Sequence, residues 1–136
     1  MSVVYNNIPQ VIALLAQEIK AIIHEEPMLI KNDAAKAMNE PHGGRYYKRR
    51  GIQHRASAPG EAPAIDTGAL VNSLEITYEG TLKSAVISNQ EYALAQEMGR
   101  PEANLLPRPY LRPAATLAVK RINKRLNALK RRIESV

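Results

Sequence analysis

From Leu111 onward an apolar residue recurs at every third or fourth position. Leu111, Ala115, Ala118, Ile122, Leu126, Leu129 and Ile133 are separated by 4, 3, 4, 4, 3 and 4 residues. That spacing keeps one narrow stripe on one side of an α-helix, so the chain must end in a long amphipathic helix with charges outside the stripe. Core packing of the stripe against the hairpin is the first expectation, and self-association in a ring or coil is the sharper one. A second stripe, Ile8, Val11, Ile12, Leu15, Ile19, Ile22 and Ile23, predicts a helix near the start. Asn7 stands as its N-cap, Pro9 fits its first turn, and Gln10 takes the capping-box position. Pro27 is expected to break or kink this helix, with a second piece from Met28 to about Met38.

Between the two stripes the pattern changes. Residues 41–63 contain Gly43-Gly44, Gly51, Pro59-Gly60 and Pro63 with no period of 2 or 3.6, which reads as a loop of about 23 residues, long enough to be a flexible arm. Asp66-Thr67 signals a cap for a short helical turn through Leu70 to Leu74. Glu75 to Tyr78 alternates, with Ile76 and Tyr78 on one face, and Leu82 to Ser88 alternates again through Lys83, Ala85 and Ile87. With Glu79-Gly80-Thr81 between them, these segments predict an antiparallel hairpin that helices must cover or other chains extend. Asn89 is a cap candidate for a helix from Glu91 to Met98, stopped by Gly99, and Arg100 to Arg108 reads as loop. The expected fold is therefore α+β, a single domain over residues 1–136: a small antiparallel sheet packed by a long N-terminal helix and a C-terminal amphipathic helix, with a basic arm at 41–63.

The chain has no Phe, Trp or Cys, and all its aromatic residues are six tyrosines. Core volume must come from aliphatic residues, Met and Tyr, and no disulfide, thiolate nucleophile or Cys-ligated metal is available. No apolar run approaches the roughly 20 residues of a membrane span, and the start lacks the order of a secretory signal, so neither a membrane partner nor a leader is expected. The net charge of +6 is unevenly distributed. Residues 1–40 and 61–116 carry an acidic excess, whereas Arg45, Lys48, Arg49, Arg50 and Arg55 occupy the arm with no acid among residues 41–60. Lys120, Arg121, Lys124, Arg125, Lys130, Arg131 and Arg132 make the last helix basic, read here as a solvated helix face. In the arm, contact with phosphate or an acidic protein surface stands level with a plain solvated loop. Tyr46 and Tyr47 place flat rings inside the cationic run.

Catalytic constellations are weak. Of the three histidines, His24, His42 and His54, no pair has the i, i+4 spacing of a helical zinc site. Ser57, His54 and Asp66 make a triad on paper only, because Ala56-Ser57-Ala58-Pro59 lacks a nucleophile-elbow frame. No catalytic, metal or cofactor residues are assigned, and no cofactor is expected.

Three segments carry more. Arg55-Ala56-Ser57-Ala58-Pro59-Gly60-Glu61-Ala62-Pro63-Ala64-Ile65-Asp66-Thr67-Gly68-Ala69-Leu70, then Tyr92-Ala93-Leu94-Ala95-Gln96-Glu97-Met98-Gly99, then Arg108-Pro109-Tyr110-Leu111-Arg112-Pro113-Ala114 occur in that order. Together they resemble S-A-P-G-E-x-P-A-x-D-T-G-x-L, Y-A-x-x-x-E-x-G and R-P-[FY]-L-x-P-A of the tailed-bacteriophage neck and tail-completion family, the lambdoid siphophage head–tail joining type. The resemblance implies a structural virion protein with no enzymatic step. It would be assembled in the host cytoplasm as a homo-oligomeric ring, a hexamer or dodecamer, at the joint between capsid and tail. Implied partners are copies of itself, head-closure or connector proteins and the tail terminator or tube, with DNA of the central channel a further partner. For the matched residues the expected roles are mostly structural. Pro59 and Gly60 belong to the first segment's turn; Asp66 and Thr67 would cap a helix start, Gly68 would allow close backbone approach, and Leu70 and Leu74 would anchor the turn. Tyr92 would bury its ring with its hydroxyl bonded, Glu97 would meet Arg100 or Arg108, Gly99 would end its helix, and Pro109 and Pro113 would stiffen entry into the last helix. Tyr110 stands where Phe is commoner. The candidate interface is the arm, Arg45, Tyr46, Tyr47, Lys48, Arg49, Arg50 and Arg55. A basic nucleic-acid-binding module is the alternative reading.

Overall fold

A helix of 32 residues, α1 (Ile8–Asn39), is the spine on which the other elements are laid. The computed structural model describes residues 7–65 and 68–136. After α1 come β1 (Tyr46–Arg49), β2 (Ile52–Arg55), α2 (Ala69–Asn72), β3 (Leu74–Tyr78), β4 (Ser84–Ser88), α3 (Ala93–Met98), one 3-10 turn (Pro101–Ala103) and α4 (Leu111–Glu134). The α+β class holds, with two separate two-stranded antiparallel sheets, β1-β2 and β3-β4.

Pro27 does not break α1. Its ring lacks an N–H, which strips the Ile23 carbonyl of its helical donor. The β3-β4 hairpin makes good the loss: Ser84 Oγ donates to the Ile23 carbonyl at 2.7 Å. Tyr78 donates its hydroxyl to the next carbonyl, that of His24, at 3.0 Å and stacks on the His24 ring. Pro27 is buried, so the residue that would end an isolated helix instead fixes where the hairpin sits. Ile76 and Tyr78 share the face of β3 turned to α1, as expected, and their partners across the ladder are Val86 and Ser84. The half-buried residues of β4 are therefore Ser84, Val86 and Ser88, while Ala85 and Ile87 face outward.

α4 runs antiparallel along α1, and its stripe packs mainly there rather than on the hairpin. The Asn7 side chain donates to the Val136 carbonyl at 3.4 Å, so it joins the far ends of the two helices and makes no cap bond of its own. Ala114, Ala118 and Leu129 are the buried positions of α4. Ala115 and Leu126 of the expected stripe are exposed, because α4 turns Ala114 inward at its entry. The core lies at the C-terminal half of α1, where Ala34 and Met38 meet Leu70, Leu74, Ala93, Tyr110 and Ala114. Among these, Leu74 opens β3 instead of closing α2. α3 begins at Ala93, after Tyr92, without a side-chain cap from Asn89. Gly99 ends it at φ +78, and a Cβ there would stand 2.8 Å from the Leu105 carbonyl oxygen, so both conformation and space demand glycine.

Residues 41–63 are not a featureless loop. Tyr46↔Arg55, Tyr47↔His54, Lys48↔Gln53 and Arg49↔Ile52 pair in register, closed by Arg50-Gly51 at φ 53 and 77. Two successive positive φ values are those of a type I′ hairpin turn.

Candidate interaction site: the basic hairpin and its root

The hairpin stands on a root built from the three sequence segments of the family resemblance. The Gly44 amide donates to the Ala56 carbonyl at 2.9 Å and the Ala56 amide to the Arg45 carbonyl at 2.8 Å, closing the base of the ladder. Glu61 secures that base from outside. Its carboxylate accepts from the Gly43 amide at 3.0 Å and the Ala58 amide at 2.9 Å, and His42 Nδ1 lies 3.4 Å away. The other ring nitrogen of His42 is 2.9 Å from the Met38 carbonyl, which ties the root to the end of α1. Further in, the Gly60 amide donates to the Pro107 carbonyl at 3.0 Å and the Arg108 amide to the Gln96 carbonyl at 2.7 Å. Arg108 Nε reaches the carbonyl of Ser57, a buried residue, at 3.4 Å. Segments 57–61, 92–99 and 108–114, far apart in the chain, thus meet at one junction.

Glu97 organises the third segment. Its Oε2 accepts from the amides of Tyr110 at 2.8 Å and Leu111 at 3.0 Å, and its Oε1 accepts from the Arg112 amide at 2.8 Å. These are the N-cap and first two helical residues of α4, and the third, Pro113, has no amide hydrogen to satisfy. The carboxylate therefore caps the helix across space; the expected cation contact with Arg100 or Arg108 is replaced by backbone amides. The tyrosines also exchange roles. Tyr92 is 42% exposed, whereas Tyr110 is 1% exposed and is the large residue of the core. Burial pushes the Tyr110 phenol up to about 12, with the Glu97 carboxylate and then Tyr92 adding to the effect. Leu70 is buried as expected, and Gly68 sits at φ +82 ahead of α2. Pro59 is exposed in its turn, Pro109 precedes α4 and Pro113 lies in its first turn. The cap roles of Asp66 and Thr67 fall outside the described residues.

The hairpin itself is solvated on both faces. Only Tyr47 and His54 are half-buried, and their rings stack at 5.5 Å. The Arg55 guanidinium lies 4.7 Å over the Tyr46 ring and its Nε donates to the Gly44 carbonyl at 3.0 Å. Arg45, Lys48, Arg49 and Arg50 are exposed. Arg49 also reaches the rim of a cleft of about 490 Å³, whose floor includes Met38 and Leu70 and whose edge carries Gln90, Tyr92 and Gln96. Of the paper triad, Ser57 holds Arg108 through its carbonyl and His54 stacks on Tyr47, while Asp66 lies outside the described residues.

The root has a pH signature. The Ala58 and Gly43 amides, aided by His42, hold the Glu61 carboxyl below its usual 4.5 against the opposing effect of desolvation. The unfolded chain then binds its proton at higher pH than the fold does, so the stability that Glu61 contributes is present above about pH 4.5 and is lost as pH falls through the lower folded value. Denaturant titrations of the wild type and Glu61→Gln between pH 7 and 3 should show a gap that is open at pH 7 and closes on the acid side. A gap that is constant across the range would refute this role.

Compared with known protein families, curated proteins and solved structures, the chain matches none. No helix among the described residues is long and apolar enough to cross a membrane.

Proposed function

We propose that this chain is a structural subunit of the head–tail joint of a tailed bacteriophage, a neck or tail-completion protein that works as a homo-oligomeric ring. The observation that carries the reading is the convergence of the three resembling segments. Gly60 bonds Pro107, Arg108 bonds Gln96 and Ser57, and Glu97 caps α4, so the motif residues come together in one structural unit, which supports the reading. That unit presents a projecting hairpin, the kind of element with which a ring subunit reaches a neighbour. Ring closure needs heterologous contacts, one patch meeting a different patch on the next copy. Both edges of the β3-β4 sheet and the exposed apolar positions Ile8, Ile12, Leu15 and Ile19 on α1 supply surface for them.

The test is to replace Tyr46–Arg55 by an Asn-Gly turn between Arg45 and Ala56, which leaves Glu61 and the root intact. The expected result is a folded subunit that no longer joins heads to tails in the phage that carries its gene. Native mass measurement of the wild type, alone and with purified tails, should show a closed ring. Normal infectious particles from the excised variant would refute the role of the hairpin, and a monomer that ignores tails would refute the ring.

A further inference from the structure

We infer that the free halves of α1 and α4 form a pairing surface for a second copy of this chain, two subunits meeting flank to flank as a four-helix bundle. Glu18 and Arg125 face each other across the two helices at 2.8 Å. Ile19 and Leu126 are the next residues, each turned about 100° further round its helix. Because the helices run antiparallel, equal turns in the same sense carry both side chains to one flank of the pair. Leu15 and Ile122, three residues before Glu18 and Arg125, come round to the same flank, and Ile12 and Ile133 extend it. This flank stands open: Ile12, Leu15, Ile19 and Leu126 are 59, 37, 40 and 41% accessible. Towards the core it ends where Arg121 bonds Glu26 and Asp33.

Charge selects the occupant. Residues 7–17 include no charged side chain, and Ile122, Leu126 and Ile133 bring none from α4. Lys130, about one turn past Leu126, borders the flank and can extend its amine outward. Lys124 and Arg131, one residue before Arg125 and six after it, are turned to the opposite flank. A partner chosen by charge finds no complement among these apolar side chains. A second copy meets them with its own, and both sets of Lys124 and Arg131 stay on the outside, so no like charges are set against each other. α1 also buries Ile22 within the fold, so its apolar residues span more of the helix than α4 alone covers. Two such layers of two helices, face to face, make the packing of a four-helix bundle. The contact is isologous: it pairs subunits and closes no ring, which leaves ring closure to the β3-β4 edges. It therefore stands or falls apart from the head–tail reading.

The experiment reads the assembly state of the full chain by sedimentation and native mass. Leu15→Glu with Leu126→Glu, and Leu15→Lys with Leu126→Lys, set like charges across the contact of each double variant with itself. Both positions are exposed, and an unchanged far-UV circular dichroism spectrum verifies the fold. The wild type should form pairs, alone or as even-numbered rings. Each double variant should pair about a hundredfold more weakly, because its new charges lose water against charges of the same sign. An equal mixture of the two should restore pairing, a rescue that also shows both to be folded. Lys124→Gln with Arg131→Gln, on the opposite flank, should stay within about threefold of wild type. Three results would each overturn the inference: a wild type that is monomeric at every concentration, an assembly whose mass is the same in the wild type and both double variants, or a loss that mixing does not restore. The last would put another surface, or another protein's helix, on this flank. Pairs that form while no ring appears with purified tails would sink the ring reading and leave this one standing.

Discussion

Replacing Glu97 with alanine should destabilise the protein by about 2–4 kcal/mol, read as a fall of about 1–2 M in the urea midpoint. One carboxylate satisfies three backbone amides, those of Tyr110, Leu111 and Arg112. A hydrogen bond to a charged group contributes about 1.5–3 kcal/mol, but three on one carboxylate do not add, and water can replace Glu97 at the exposed Arg112 amide. The Tyr110 and Leu111 amides are less accessible, and Tyr110 is itself a core side chain, so loosening the start of α4 also loosens the core. The negative charge at a helix N-terminus contributes a further 0.3–1 kcal/mol or so. Glu97→Gln should lie between the two, because its single carbonyl oxygen accepts while its NH₂ faces donors. A midpoint for Glu97→Ala within about 0.3 M of wild type would show that water substitutes fully for the carboxylate.

That cap also shows what a sequence discloses and what it withholds. The stripes of α1 and α4, the alternation of β3-β4 and the stop at Gly99 are legible because each is a local period or a local backbone demand. Glu97 acts on residues 13 to 15 positions away, and a carboxylate in sequence invites the search for a cation. The clue lay elsewhere: Pro107-Arg108-Pro109-Tyr110, ahead of a strong helical stripe, holds no Ser, Thr, Asp or Asn, so the acceptor had to come from another element. Pro27 misled for a related reason, since the rule that it ends a helix assumes that nothing else bonds the freed carbonyl, and Ser84 does. The hairpin escaped notice because alternation marks a strand only when one face is buried. Both faces of β1-β2 are solvated, Tyr46 and Tyr47 are adjacent, and its turn uses Arg50-Gly51 in place of the commoner Asn-Gly. The junction that gathers the three resembling segments likewise depends on backbone bonds such as Gly60 to Pro107, which leave no trace in residue type.

The charge of α4 divides once the structure is known, and the division predicts the second large effect. Arg121 Nε lies 3.0 Å from Glu26 and its Nη1 2.6 Å from Asp33. Arg125 Nε lies 2.8 Å from Glu18, and its Nη1 lies 2.9 Å from Glu25 and 3.7 Å from Glu26. Burial opposes the Arg121 charge, but the hydrogen bonds it donates to Asp33 and Glu26 outweigh that and hold the guanidinium above its ordinary value. The acidic excess of residues 1–40 is thus used to bind the basic end of the chain. Glu26 is 4% exposed, so Arg121→Ala strands a buried carboxylate with only the more distant Arg125, and should cost about 3–4 kcal/mol, the lower part of the range for breaking a buried pair. Removing both partners, Glu26→Leu with Arg121→Leu, should cost less than Arg121→Ala alone. It deletes the stranded charge, and it also removes Arg121 Nη2, which is buried without a hydrogen-bond partner among the described residues. A double-mutant cycle between Glu26 and Arg121 should return a coupling of about 1–2 kcal/mol or more. It should also survive about 1 M salt, where the screening length is near 3 Å and exposed pairs lose their attraction. A coupling that vanishes in salt would mean that these cations belong to the solvated face of α4 after all.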